Sequence, residues 1–232
     1  MYGARPMSEQ MSASAPTIDE LTVADEPGAW EALGFSLDGE ICRLGSVDVR
    51  LTGASADSGR GIASWSLRDL ISTELDGLPT TRSESSPGEP APAHPNGVIR
   101  IDHVVVMSPS FERSVGALQA AGLDLRRIRD EPTPAGAPRQ AFFRLGGEIL
   151  ELVQEPEEIV ARTGGLDRPA RFWGLALLSE DLDRTVAALG DDAGQIRAAV
   201  QPGRRIATVR RSAGLAVPLA LMSADERVGS ER

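Results

Sequence analysis

At 232 residues the chain is long enough for one large domain or two small ones, and its 41% hydrophobic residues can bury a core that, with only 4% aromatics, is built mostly from Val, Leu, Ile and Ala. A formal net charge of −10, with arginine as the only basic residue besides two histidines, argues against nucleic acid as a partner, because phosphate neutralisation needs a basic surface. The lone Cys42 excludes an internal disulfide and fits a reducing compartment, and no run of about 18 apolar residues offers a membrane span; the expectation is a cytoplasmic protein.

In chain order, residues 1–16 are rich in Ser, Ala, Met and Pro without periodicity and read as a disordered lead-in, lacking the basic head and apolar stretch of a secretory signal. Residues 17–78 carry the first pattern. Ile18 to Val23 reads as a strand, and Pro27 to Leu33 as a short helix opened by Pro27 and stopped by Gly34. Glu40–Leu44 and Val47–Leu51 form two strands around a Gly45-Ser46 turn, followed by a strand from Ile62 to Leu67 and a weak helix from Asp69 to Leu75. Residues 79–97, with five prolines among Ser, Glu and Ala, read as an extended or disordered linker, and His94 within it as solvent-exposed and inert.

The second block covers 98–224. Ile101 to Val106 is an apolar strand carrying His103, and the helix from Ser110 to Ala121 sets Phe111, Val115 and Leu118 on one face. Arg139 to Leu145 and Glu148 to Gln154 are strands joined at Gly146-Gly147, and Glu155 to Arg168 is a polar connection. The pattern then restarts with a strand from Phe172 to Leu178, a helix from Asp181 to Leu189 with Leu182, Val186 and Leu189 inward, and strands at Arg205–Arg210 and Leu215–Met222. Residues 225–232 trail off as a tail. The pairs Arg126-Arg127 and Arg204-Arg205 read as solvated strand or loop ends.

The chain repeats itself. A slide of 71 residues lays Ser110-Phe111 on Asp181-Leu182, Val115 on Val186 and Leu118 on Leu189, with glycine ending both helices. A slide of 83 the other way lays Ile18-Asp19-Glu20 under Ile101-Asp102-His103, and Arg43-Leu44-Gly45 matches Arg144-Leu145-Gly146 at a somewhat larger shift. Three strand–helix–strands units therefore begin near 18, 98 and 170, and a fourth at 62–78 is started and cut short.

With these repeats, the "IDHVVV" opening, the "RLGGEILELV" closing and the "LALLSEDLDRTVAALG" restart, the sequence resembles the vicinal oxygen chelate superfamily of glyoxalase I, extradiol dioxygenases and bleomycin-resistance proteins. The resemblance covers 98–224 well and 17–78 more faintly. It implies an α+β fold in which paired βαβββ modules form a U-shaped sheet around a cleft, with an extra N-terminal module of similar pattern. It also implies up to two metal ligands per module, a His on the first strand and a Glu on the last, a set suited to Fe, Mn, Ni or Zn acting as a Lewis acid.

Carried over to this chain, the ligand positions fall on His103 and Glu151, then on Gly174 and near Pro218, where the expected side chains are missing. The N-terminal counterparts are Glu20 and Arg50. A third ligand would have to come from Glu20, Gln140, Glu148 or a homodimer partner; otherwise His103 is a cleft-lining histidine hydrogen-bonded to Glu151. Trp173 and Arg144 are expected to line the substrate cleft. The expectation is a glyoxalase-like protein with a small-molecule cleft and an incomplete metal site, binding no metal rather than one divalent ion. Two alternatives stand beside it: a metal-dependent lyase, isomerase or dioxygenase with a remodelled site, and a metal-free binding or sequestering protein. A structural or assembly role is a further reading. No glycine-rich phosphate loop, dinucleotide fingerprint or nucleophile elbow is present.

Overall fold

The computed structural model describes residues 15–53, 61–133 and 136–225. The expected lead-in and tail lie almost wholly outside these residues. In chain order the elements are β1 (Thr17–Val23), α1 (Pro27–Ala32), β2 (Ile41–Leu44), β3 (Val47–Leu51), β4 (Ile62–Arg68), β5 (Thr80–Arg82), β6 (Val98–Ser108), α2 (Phe111–Ala120), β7 (Asp124–Arg129), β8 (Gln140–Leu145) and β9 (Glu148–Gln154). They continue with α3 (Glu157–Arg162), β10 (Arg171–Ser179), α4 (Leu182–Leu189), β11 (Arg197–Ala198), β12 (Arg205–Thr208) and β13 (Leu219–Met222).

The second block is one eight-stranded sheet in the order β11-β12-β13-β10-β6-β9-β8-β7. Each half is a βαβββ module whose first strand pairs in parallel with its last, β6 with β9 and β10 with β13. The halves meet where β6 and β10 run antiparallel, Val105 beside Gly174 and His103 beside Ala176. Because Gly174 is the repeat equivalent of His103 and Ala176 that of Val105, the pairing is symmetric about this seam. The duplication extends to side chains. Ser108 and Ser114 share a hydroxyl hydrogen bond of 2.6 Å where β6 meets α2, and their equivalents Ser179 and Thr185 share one of 2.6 Å where β10 meets α4.

The first block is a five-stranded sheet, β2-β3-β1-β4-β5. β1 runs parallel to β3 and antiparallel to β4, which runs parallel to β5. The parallel pairing of a first strand with a later one is the element this sheet shares with the larger one, as β1 with β3 and β4 with β5. The expected helix at 69–75 is absent. Asp69 (φ 58°) and Asp76 (φ 52°) adopt the left-handed conformation that aspartate tolerates better than most residues, and the chain makes an irregular connection between them.

Alternation decides what each strand buries. Val104 and Val106 of β6, Leu150 and Leu152 of β9, Leu175 and Leu177 of β10, and Leu219 and Leu221 of β13 all enter the core. Phe111, Val115 and Leu118 of α2 cover them as the helical spacing requires. The same apolar cluster takes in Leu21, Trp30, Trp65 and Leu67, so the two sheets share one core. Asp25, 3% exposed, ties them further: it accepts the indole N–H of Trp30 at 3.0 Å and the backbone N–H groups of Ala216 and Val217 at 2.6 and 3.3 Å.

Residues 79–97 carry little regular structure but are tied to the fold, which corrects the expectation that His94 is solvent-exposed and inert. β5 lies within them, and His94 and Asn96 are buried at 7% and 3% exposure. Proline-rich chain lacks donors but not partners. Here Ala91 N–H reaches Gly45 O at 2.9 Å, and Asn96 Nδ2 donates to Leu33 O at 2.9 Å. The polar stretch after β9 likewise contains α3, and β11 is a short strand that no sequence pattern marks. No helix among the described residues is long and apolar enough to cross a membrane.

Candidate functional site

Opposite the core, the eight-stranded sheet presents its second face, and the register arranges it in lateral rows. One row runs Phe142, Glu151, Val105, Gly174; the next runs Arg144, Ile149, His103, Ala176, Ala220, Thr208. His103 therefore sits near the middle of the sheet with Glu151 diagonally adjacent, and its Nε2 lies 3.1 Å from Glu151 Oε2. The sequence expectation that these two residues share one face is met. Their side chains are 11% and 12% exposed.

Asp102 belongs to the same cluster, although alternation would send it to the other face. Across β10, His103 pairs with Ala176 and Ile101 with Leu177, leaving Asp102 unmatched. Such a bulge turns consecutive side chains toward one side, and Asp102 Oδ2 lies 2.8 Å from His103 Nδ1. Asp102 is gripped from its other side by Arg204, with Nη2–Oδ1 at 2.6 Å and Nη1–Oδ2 at 3.1 Å, and Arg204 Nε donates to Ser223 O at 2.8 Å. Beyond His103, Gln140 Nε2 donates to Glu151, and Gln140 Oε1 accepts from Arg129 at 3.3 Å. Arg204, 15% exposed in its side chain, is thus no solvated end.

With carboxylate acceptors at both ring nitrogens, His103 satisfies the geometry as the doubly protonated imidazolium. Burial works hardest against that charge, but the hydrogen bonds and negative charges of Asp102 and Glu151 together outweigh it and raise the ring to about 9. Burial likewise pushes Asp102 upward, but His103 and Arg204 win and hold its carboxyl well below the usual range. His103, Arg204, Asp102 and Glu151 form a charge-balanced set. Two acids and two bases are closed on each other.

The N-terminal sheet carries the same construction with other residues. Asp19 is unmatched where Glu20 pairs with Ser66 and Ile18 with Leu67, and it forms an ion pair with Arg68. Glu20, in the place of His103, binds Arg50, in the place of Glu151, through contacts of 3.1 and 2.7 Å. The Asp that follows Ile in both openings was the one available sequence signal for these bulges. Nothing local marked Arg204 or Arg129 as their neighbours.

The two remaining ligand positions that the resemblance implies carry no donor. β10 and β13 pair Leu175 with Leu219, which sets Gly174 beside Pro218, and Ala176 with Ala220, as Val105 pairs with Glu151. The register therefore makes Ala220, rather than Pro218, the counterpart of Glu151. A Cβ at Gly174 would stand 2.6 Å from Pro218 O, so a side chain is excluded there by backbone. Gly174→Ala is expected to cost about 1–3 kcal/mol through overpacking, read as a lower urea midpoint with unchanged slope.

A divalent ion does not fit the residues present. Catalytic sites of this kind use about three protein donors, and among the described residues no group of three or more His, Cys, Asp or Glu side chains is placed to hold one. The other positions raised as reserve ligands do not supply the missing donor: Glu20 is bound to Arg50, and Glu148 is buried in the β8–β9 hairpin, where desolvation raises its carboxyl. Trp173 sits on a second bulge beside Gly174 and is 47% exposed. Arg144 shares the row of His103, but its Nε donates to Gly146 O at 3.1 Å in the hairpin, so the guanidinium is engaged there rather than at the cluster.

No family model matches the sequence, and no curated protein matches it. Among solved structures the chain is similar to a xylose isomerase-like TIM barrel/4-hydroxyphenylpyruvate dioxygenase fusion protein, at TM-score 0.61 and 13% identity over 91% of this chain and 49% of that one. It thus spans about half of that protein's length. Lower overlaps are found with methylmalonyl-CoA epimerase from Mycobacterium tuberculosis (TM-score 0.47, 16% identity, 60% of this chain and 95% of that one) and with a Streptomyces coelicolor methylmalonyl-CoA epimerase in complex with 2-nitronate-propionyl-CoA (0.44, 18%, 55% and 95%). The likeness is one of fold alone: the chain shares the paired βαβββ arrangement with the dioxygenase fusion protein.

Proposed function

We propose that this chain binds a small, largely apolar or aromatic molecule on the face of the eight-stranded sheet that carries His103, without a metal ion. The observation that carries the reading is the commitment of both His103 ring nitrogens to carboxylates. A metal ligand must offer a neutral nitrogen, and this ring is held as a cation between two anions. The floor around it supports an apolar ligand. Phe142, Ile149 and Ile206 are half-buried on this face, Val105 and Val153 form a small apolar cluster with Ala137, and Gly174, Ala176 and Ala220 leave the other half of the floor shallow. The lyase, isomerase or dioxygenase alternative needs a third donor that these residues do not offer.

The test is thermal unfolding in EDTA against a panel of small aromatic alcohols and acids, repeated with Ala220→Phe, which fills the floor. The reading expects at least one compound to raise the midpoint, by the equivalent of about 2.7 kcal/mol at a hundredfold excess over its Kd, and that gain to vanish in the variant. Stabilisation that appears only after a divalent metal is added, or that survives Ala220→Phe, would contradict it.

A further inference from the structure

Segment 83–97 crosses the N-terminal sheet on the face that corresponds to the candidate cleft of the larger sheet. Beneath it lies a cavity of about 260 Å³ whose walls are polar: Asp19, Glu20, Arg43 and Arg68 from the sheet, Ser85 and Gly88 from the segment. Residues 84–90 are exposed, so the cover is thin. One end is held by Arg68 Nε, which donates to Ser85 O at 2.8 Å, and by Ser83 Oγ, which donates to Asp19 at 2.6 Å. The other end is held at His94.

The bonds of His94 fix its protonation. Nδ1 accepts the backbone N–H of Ser36 at 3.0 Å, and Nε2 reaches Arg43 O at 3.1 Å as the donor. Only the neutral ring has one acceptor and one donor; a proton on Nδ1 would set N–H against N–H. We propose that His94 is an acid-sensitive latch, holding segment 83–97 across the N-terminal sheet when neutral and releasing it from the polar cavity when protonated.

The groups facing the ring leave its charge uncompensated. From β2 come the Cys42 thiol, 3.9 Å away and pushed up to about 12 by burial, and the carbonyl of Arg43, whose guanidinium is engaged by Asp48 at 2.6 Å. From the α1–β2 connection come the Ser36 N–H and the edge of the Phe35 ring, 5.2 Å between centroids. Among the described residues no carboxylate forms an ion pair with His94. Burial is the larger influence and lowers the ring from 6.5, against the opposing bond to Arg43 O. A lowered histidine holds above its unfolded value and fails as the pH falls, so the latch opens on acidification.

Hydrogen exchange of peptides from 84–95, corrected for intrinsic rates and compared with 101–106 as an internal reference, tests this. Protection of 84–95 is expected to fall by about tenfold between about pH 7.5 and about pH 5.5, the effect of one pH unit below an ordinary histidine, while 101–106 keeps its protection. In His94→Gln, whose amide can accept from Ser36 and donate to Arg43 without titrating, protection should be the same at both pH values. Equal protection of the wild-type segment at both, or an equal loss in the variant, would overturn the proposal. Should the variant not fold, the wild-type ring titration followed by NMR must share its midpoint with the loss of protection; separate midpoints would overturn it equally.

Discussion

Replacing Asp102 with alanine is expected to destabilise the chain by about 3–5 kcal/mol, the cost of removing one partner from a buried ion pair. The size follows from what is left behind. Arg204 loses both of its carboxylate contacts, at 2.6 and 3.1 Å, and His103 loses the acceptor at Nδ1, while all three side chains are no more than 15% exposed. Adding Arg204→Met should recover part of the loss, because an apolar replacement removes the stranded charge. Urea unfolding of the two single variants and the pair would show this as a coupling between them; strictly additive losses would mean that Arg204 does not depend on Asp102.

Raising the pH is expected to unpick the same cluster from the other side. His103 is raised from 6.5 to about 9, so its contribution is complete below pH 6.5 and is lost as the pH climbs through 9. At about 1.4 kcal/mol per pKa unit this amounts to about 3 kcal/mol over that window. Asp102, lowered, acts in the opposite sense: its contribution is present above 3.8 and is lost on acidification. His94, also lowered, withdraws stability below 6.5. Unfolding free energies measured at pH 6.5, 8 and 9.5 should decline, and His103→Gln should flatten that alkaline arm. A decline of the same size in the variant would assign it to other groups.

Much of the fold was legible because it rests on periodicity and duplication. The spacing of Phe111, Val115 and Leu118 named the buried face of α2, and the slide onto Leu182 and Leu189 announced a second module that the sheet then places symmetrically across β6 and β10. His103 and Glu151 could be placed on one face because first and last strands of a module are neighbours. The rest depended on contacts that leave no local pattern. The bulge at Asp102 breaks the alternation on which strand reading relies, and Arg204 comes to it from 102 residues away. His94 was misread because composition describes a segment's own propensity, whereas its burial is set by the hairpin it lies against, through Gly45 O and Arg43 O. The helix expected at 69–75 failed where two aspartates turn the chain left-handed.

In this chain an internal ion-pair cluster of His103 with Asp102 and Glu151 stands where the resemblance implies metal ligands. Nitrogen-15 NMR of the His103 ring, recorded from pH 6 to 10 with and without one equivalent of zinc, tests it most directly. Both ring nitrogens should be protonated at pH 7, with a titration midpoint near 9 and no change on adding zinc. A neutral ring at pH 7, or displacement of the Nε2 proton by zinc, would contradict it.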